Sequence, residues 1–192
     1  MGAPQQSPAF TIDDYLAWEA GQAERHEYLQ GEVYAMTGAR DAHNTIAGNI
    51  FVQLRETLRG GPCRVYIADM KLRLDAADAV FYPDLMVTCD PRDRTAETDS
   101  FKRHPRRLVE VLSESTAASD CGRKYELYRT IETLEEVMLV EQDRRHADLF
   151  RREADGRWVL ESCGPAGEVR LASLGLNLTL DRVYEDVLSA SA

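Results

Sequence analysis

Apolar and polar residues are arranged along this chain in three ways, and each predicts a different element. At Ile46, Ile50, Leu54 and Leu58 the apolar positions recur every four residues. That is the stripe of an amphipathic helix over Asp41 to Leu58, ended by Gly60-Gly61-Pro62. From Glu27 to Met36, apolar and polar residues alternate around Gln30-Gly31-Glu32, which predicts a hairpin. Val80 to Val87 and Leu108 to Leu112 are near-continuous apolar runs, the pattern of strands covered on both faces.

The remaining segments extend this into a mixed α/β chain. Thr11-Ile12-Asp13-Asp14 predicts a capped helix to about Glu19. Arg64 to Leu74 reads as one strand and Ala79 to Thr88 as another. Asp90 to Arg107 is dense in charge and predicts an exposed loop, followed by a buried strand to Ser113. Ser115 to Asp120 is a small-polar link that can cap a helix over Cys121 to Thr130. Leu134 to Val140 predicts a strand, and His146 to Phe150 with Trp158 to Ser162 flank an Asp155-Gly156 turn. A short strand near Leu178 and a helix over Asp181 to Ser189 close the chain. The expected organisation is a disordered tail over residues 1–9 and a single domain over residues 10–192.

Composition narrows the class. The 192 residues are 44% hydrophobic and 29% charged, as in one ordinary globular domain. No apolar run reaches the ~18 residues of a membrane span. Met1 to Phe10 lacks the basic and apolar regions of a secretion signal, so the expectation is a cytoplasmic protein with no membrane partner. Gly2 does not begin a myristoylation motif, because Gln6 stands where Ser or Thr is needed. Cys63, Cys89, Cys121 and Cys163 are scattered, with no C-x-x-C pair, which argues against zinc and against a disulfide framework. Free buried thiols are expected. The net charge of −10 speaks against broad, non-specific nucleic-acid affinity, but not against a local basic groove. Lysine occurs only as Lys71, Lys102 and Lys124.

Against this background two carboxylates stand out, because each sits inside an apolar run. Asp84 follows Pro83 in Val80–Val87, and Glu110 lies in Leu108–Leu112. A carboxylate in such a place loses hydration at a cost of several kcal/mol unless a cation, a basic side chain or a proton compensates it. Strand periodicity puts Asp84 on the face of Tyr82 and Met86, and Glu110 on the face of Leu108 and Leu112. On neighbouring strands the two acids would converge within reach of a divalent ion, and hard cations prefer oxygen ligands. Lys124 follows in the next helix, with Tyr128 one turn on and facing the same way. Glu32 is a further acid on an early strand.

In this order, Pro83-Asp84, Glu110-Val111-Leu112 and a displaced lysine resemble the PD-(D/E)XK nuclease superfamily. The chain is closer still to the Uma2 family, a branch described as restriction endonuclease-like. The likeness rests on Gly31-Glu32, Pro83-Asp84, Glu110-Val111-Leu112-Ser113 and Lys124-x-x-x-Tyr128, and covers roughly residues 11–188. It implies a central mixed β-sheet flanked by helices, a magnesium or manganese ion (Mg2+ or Mn2+), and hydrolysis of phosphodiester bonds, with DNA as the nucleic-acid partner. Within it, Asp84 and Glu110 are the implied metal ligands, with Glu32 as an extra one. The superfamily's lysine position falls on Leu112, so Lys124 is the candidate replacement. A homodimer would suit the cutting of two strands.

Blander readings stand beside these. Glu110 could pair with an arginine in the core, and Lys124 could pair with a surface acid. Asp69-Met70-Lys71 also spells D-x-K but precedes Pro83-Asp84, and reads as an alternating strand with its charges in solvent. His43 reads as a capping or surface residue, and Arg25 and His26 as partners for Glu24 and Glu27. Arg92, Arg94, Lys102, Arg103, Arg106 and Arg107 could meet phosphates or simply solvate a loop. A nuclease-like fold that binds DNA or protein without catalysis is the alternative function.

Overall fold

The two strands expected around Asp69 and Asp84 are each broken in the middle, and those breaks organise the molecule. A computed structural model describes residues 10–36, 38–113 and 120–187. Arg64 to Leu74 is two strands, β3 (Arg64–Ile67) and β4 (Lys71–Leu74), in different sheets. Ala79 to Thr88 is likewise β5 (Ala79–Phe81) and β6 (Leu85–Thr88). The first break falls at Ala68, whose φ of 58° turns the chain. The second falls at Tyr82-Pro83-Asp84, where proline has no N–H to continue a ladder. The single strands expected from composition are therefore corrected, and Asp84 lies at a sheet junction, just before β6.

The larger sheet has six strands in the order β11-β10-β9-β8-β6-β3. Its centre is β8 (Pro105–Leu112) and β9 (Glu136–Glu141), which run parallel, with β10 (Ala147–Arg152) and β11 (Trp158–Cys163) beyond. The smaller sheet has the order β2-β1-β5-β4-β7, with β1 (His26–Leu29), β2 (Glu32–Ala35) and β7 (Phe101–Lys102). The expected hairpin between β1 and β2 is present, and Gln30 and Gly31 take φ of 52° and 90° in its two-residue turn. A two-stranded sheet of β12 (Glu168–Leu171) and β13 (Leu176–Thr179) completes the set; β12 carried no sequence signal strong enough to be predicted.

The large sheet is covered on both faces, as its apolar runs require. Helix α2 (Asp41–Thr57) lays Ile46, Ala47, Ile50 and Leu54 on one face, against Leu85, Val87, Val109 and Val111. The β12–β13 pair and the short helix α4 (Leu180–Val183) pack on that same side. The opposite face, with Met86, Leu108 and Leu112, meets the smaller sheet and Tyr128 of α3 (Tyr125–Tyr128). Helix α1 (Ile12–Glu19) starts with the expected cap, Thr11 and Asp14 forming a reciprocal capping box. The fold is a mixed α+β domain. Among the described residues, no helix is long and apolar enough to cross a membrane.

Other expectations change with tertiary packing. The charged segment from Asp90 onward is not merely an exposed loop. Asp93 is fully buried and accepts hydrogen bonds from Thr88 Oγ1 (2.7 Å) and the N–H groups of Arg103 and His104 (2.9 and 3.0 Å). Lys102 and Arg107, two of its six named cations, are also buried. Cys63 and Cys89 form a disulfide, correcting the expectation of free thiols there. They flank the paired strands β3 and β6, where Arg64 faces Thr88, so they are the next cross-strand pair. Cys163 is free and buried. Lys71 is half-buried over the Tyr82 ring, and burial pushes its amine down; only Asp69 of the D-x-K triplet faces solvent. Arg25 pairs with Asp69 and His26 with Glu19, not with the neighbouring acids. The last helix is Leu180–Val183, shorter than the expected Asp181 to Ser189, and residues 184–187 lie beyond it; the expected tail at residues 1–9, the link at 115–119 and positions 188–189 lie outside the described residues.

Candidate active site

The register between β6 and β8 decides where the two acids meet. Met86 pairs with Leu108 and Leu85 with Val109, so one further step sets Asp84 opposite Glu110. Hydrogen bonds lock that step. Val111 N–H donates to Asp84 Oδ2 at 2.7 Å, and Asp84 N–H reaches Glu110 Oε2 at 3.4 Å. Ala68 N–H donates to the Asp84 carbonyl at 2.9 Å, which ties the two sheet-switching points together. Glu110 is 4% exposed, and the buried Tyr128 hydroxyl donates to its Oε1 at 2.6 Å. Tyr128 thus faces the acids, as its spacing in the helix predicted.

Both acids line a cleft of about 460 Å³, together with Glu27, His43, Lys124 and Gln142. Lys124 lies beside the acids in this cleft, and its Nζ is 2.7 Å from Glu27 Oε1. Glu27 also receives the Tyr82 N–H at 3.4 Å. Glu32 is placed elsewhere. It is exposed at the start of β2, its carboxylate takes the Tyr34 hydroxyl, and it does not line the cleft. Glu27 and Glu32 share a face of the hairpin, since Glu27 pairs with Tyr34 and Leu29 with Glu32, but Glu32 sits at the turn end of the edge strand β2, away from the cleft. Tyr82, two residues before Asp84, donates its hydroxyl to the buried Glu19 at 2.8 Å. Burial pushes its phenol well above the ordinary range, with Glu19 adding to the shift.

His43 is the residue that sequence reasoning passed over. Its Nε2 lies 2.9 Å from Asp84 Oδ1, with both side chains about four-fifths buried. The signal was available: His43 stands three residues before Ile46 and so begins the inward stripe of α2. An imidazole there faces the sheet, not solvent. Asp84 is therefore held on one oxygen by a backbone N–H and on the other by a ring nitrogen.

The donor set suits a hard cation in a limited way. Among the described residues, no group of three or more His, Cys, Asp or Glu side chains is arranged to hold a metal. Asp84 and Glu110 are the two carboxylates that the β6–β8 register sets face to face in the cleft. Magnesium is commonly held by one or two carboxylates and keeps the rest of its shell as water. Each carboxylate oxygen has more than one acceptor direction, so the hydrogen bonds described leave capacity on both acids.

Comparison with known proteins adds the lineage. Residues 12–182 match the family Uma2, described as "Putative restriction endonuclease". The chain belongs to the Uma2 family. Two proteins of Synechocystis sp. (strain PCC 6803) are similar to this Uma2 chain. "Uncharacterized protein slr1290" is 35% identical over 177 residues, covering 92% of each chain. "Uncharacterized protein sll1609" is 29% identical over 163 residues, covering 84% of this chain and 92% of the other. A crystal structure of "a putative nuclease belonging to DUF820" from Anabaena variabilis superposes with a TM-score of 0.74 at 16% identity. It covers 93% of this chain and 99% of that one, so the two share the fold.

Proposed function

We propose that this Uma2 protein is a metal-dependent endonuclease that hydrolyses phosphodiester bonds of DNA in the cytoplasm. The observation that carries the reading is the opposition of Asp84 and Glu110 across β6 and β8, at the wall of a cleft shared with a lysine. Asp84 and Glu110 would hold magnesium or manganese. Bound there, the ion supplies positive charge to the scissile phosphate and makes a neighbouring water a better acid. The chain's own groups do the rest. His43 and the Val111 N–H fix the orientation of Asp84, and Tyr128 fixes that of Glu110. Lys124, kept in place by Glu27, stabilises charge that grows on the phosphate oxygens. Family membership supports this chemistry, because Uma2 is described in terms of restriction endonucleases. Two copies related by a two-fold axis would cut both strands of a duplex.

The test is nicking of supercoiled plasmid with magnesium or manganese, beside the Asp84→Ala variant and a chelator control. Metal-dependent nicking by the parent alone is expected; equal nicking by Asp84→Ala would sink the assignment. One observation favours a second reading, a nuclease-like fold that binds DNA or protein without cutting. Lys124 contacts an acid rather than standing alone over the cleft, and the chain is strongly acidic. Calorimetric metal binding without cleavage of any DNA would select it.

A further inference from the structure

One buried polar group in the cleft has no role in the chemistry above. Gln142 is 6% exposed, one residue beyond the end of β9, and it lines the same cleft as Asp84 and Glu110. Its backbone N–H is spent on the Leu112 carbonyl at 3.2 Å, across the parallel pairing of β8 and β9. Its side chain is different: Oε1 is enclosed and takes no hydrogen bond among the described residues. Buried carboxamides are nearly always paired, so an unmet one at a cleft wall marks a place where a partner arrives. The contrast with Gln53 supports this. Gln53 also has an unmet Oε1, but its Nε2 bonds the Asn49 carbonyl at 3.2 Å, and it lies away from the cleft. Among the enclosed side-chain atoms without a partner, those of Gln142 alone line this cleft.

Place and chemistry together define what could meet it. The carboxyl ends of adjacent parallel strands are where open α/β sheets bind ligands. A carboxamide offers one acceptor and one donor side by side, and swings about its last torsion to present both. Adenine presents the matching amine and ring nitrogen side by side. Gln142 is 6% exposed, so a base edge held within a duplex meets it less readily than a free one. A base that meets it must leave the stack, as flipped and single-stranded bases do. Tyr34, 45% exposed and lining the same cleft, offers a face for such a base to stack on.

We propose that Gln142 is a specificity-determining residue that reads an unpaired adenine next to the bond to be cut. The proposal deepens the nuclease reading and rests on it for the position of the cut. Its test is fluorescence anisotropy with labelled single-stranded DNA in magnesium, on the full chain carrying Asp84→Asn so that no strand is cut. The probes are a thymine run, the same run with one adenine, and the same run with a purine that lacks the exocyclic amine. The adenine probe should bind about tenfold tighter than the other two. Gln142→Leu should erase that difference, and Gln142→Glu, which keeps the acceptors and loses the donor, should reduce it. Thermal melts of both variants check that they fold. Binding that ignores the base, or a preference that survives in folded Gln142→Leu, would overturn the proposal. So would equal binding of the adenine probe annealed to its complement. Cleavage by the parent is scored separately. Base-selective binding without cleavage defeats the nuclease reading and leaves Gln142 standing. Cleavage with base-blind binding does the reverse, and neither binding nor cleavage defeats both.

Discussion

Strand β8 carries a buried charge near each end, and the two are handled in opposite ways. At the start, Arg107 faces Glu136 directly across the parallel pairing with β9. Its Nε lies 2.5 Å from Glu136 Oε2, both side chains are 3% exposed, and Arg151 reaches the other Glu136 oxygen at 3.1 Å. Three residues later Glu110 faces a second acid, Asp84, and the two share a cleft. The first arrangement neutralises charge within the fold. The second sets two carboxylates face to face at a cleft, with His43 on one and the Tyr128 hydroxyl on the other. The difference separates a structural ion pair from a candidate site better than burial does, because Arg107 and Glu110 are almost equally buried.

The contrast breaks most sharply at Asp84. Asp84→Ala should cut nuclease activity by about a thousandfold or more, since several kcal/mol of charge stabilisation depend on the ion it would hold. Its melting temperature should stay within a few degrees of the parent's. Glu136→Gln should do the opposite, costing about 3 kcal/mol in urea unfolding by leaving the buried Arg107 with only the longer contact to Glu135 at 3.5 Å. If Glu136→Gln were instead neutral for stability and lethal for cleavage, the two ends of β8 would have been assigned the wrong way round. Replacing Cys63 and Cys89 by serine should cost about 3.5 kcal/mol, the value for releasing a loop of this length, a sequence separation of 26. Plasmid nicking should be unchanged, because the disulfide lies at the far end of the β3–β6 pairing from Asp84. The smallest effect is expected at Tyr128→Phe, which removes one hydrogen bond to a buried carboxylate. A loss of about 1–2 kcal/mol is expected, seen as roughly tenfold weaker metal binding by calorimetry at little change in kcat. A change in kcat with metal affinity intact would show that Tyr128 does more than hold Glu110.

Much of this was visible in the one-dimensional pattern. The stripe of α2, the β1–β2 turn and the acids inside apolar runs are local features, each set by periodicity or by a residue with few conformations. The breaks at Ala68 and Pro83 were hidden, because an apolar run looks the same whether it stays in one sheet or crosses to another. The cysteine pair was hidden for a related reason: two cysteines 26 positions apart become neighbours only through the β3–β6 pairing.

The amino-acid sequence by itself therefore determined the apolar runs, the two acids inside them and which lineage the chain resembles, since these depend on residue type and near-neighbour spacing. Tertiary structure decided which groups face one another. It put His43 on Asp84, Glu27 rather than Glu32 beside Lys124, and Gln142 at the cleft wall. Those pairings join residues from separate elements, and their positions follow from strand register and sheet crossing, which no local window of the chain contains.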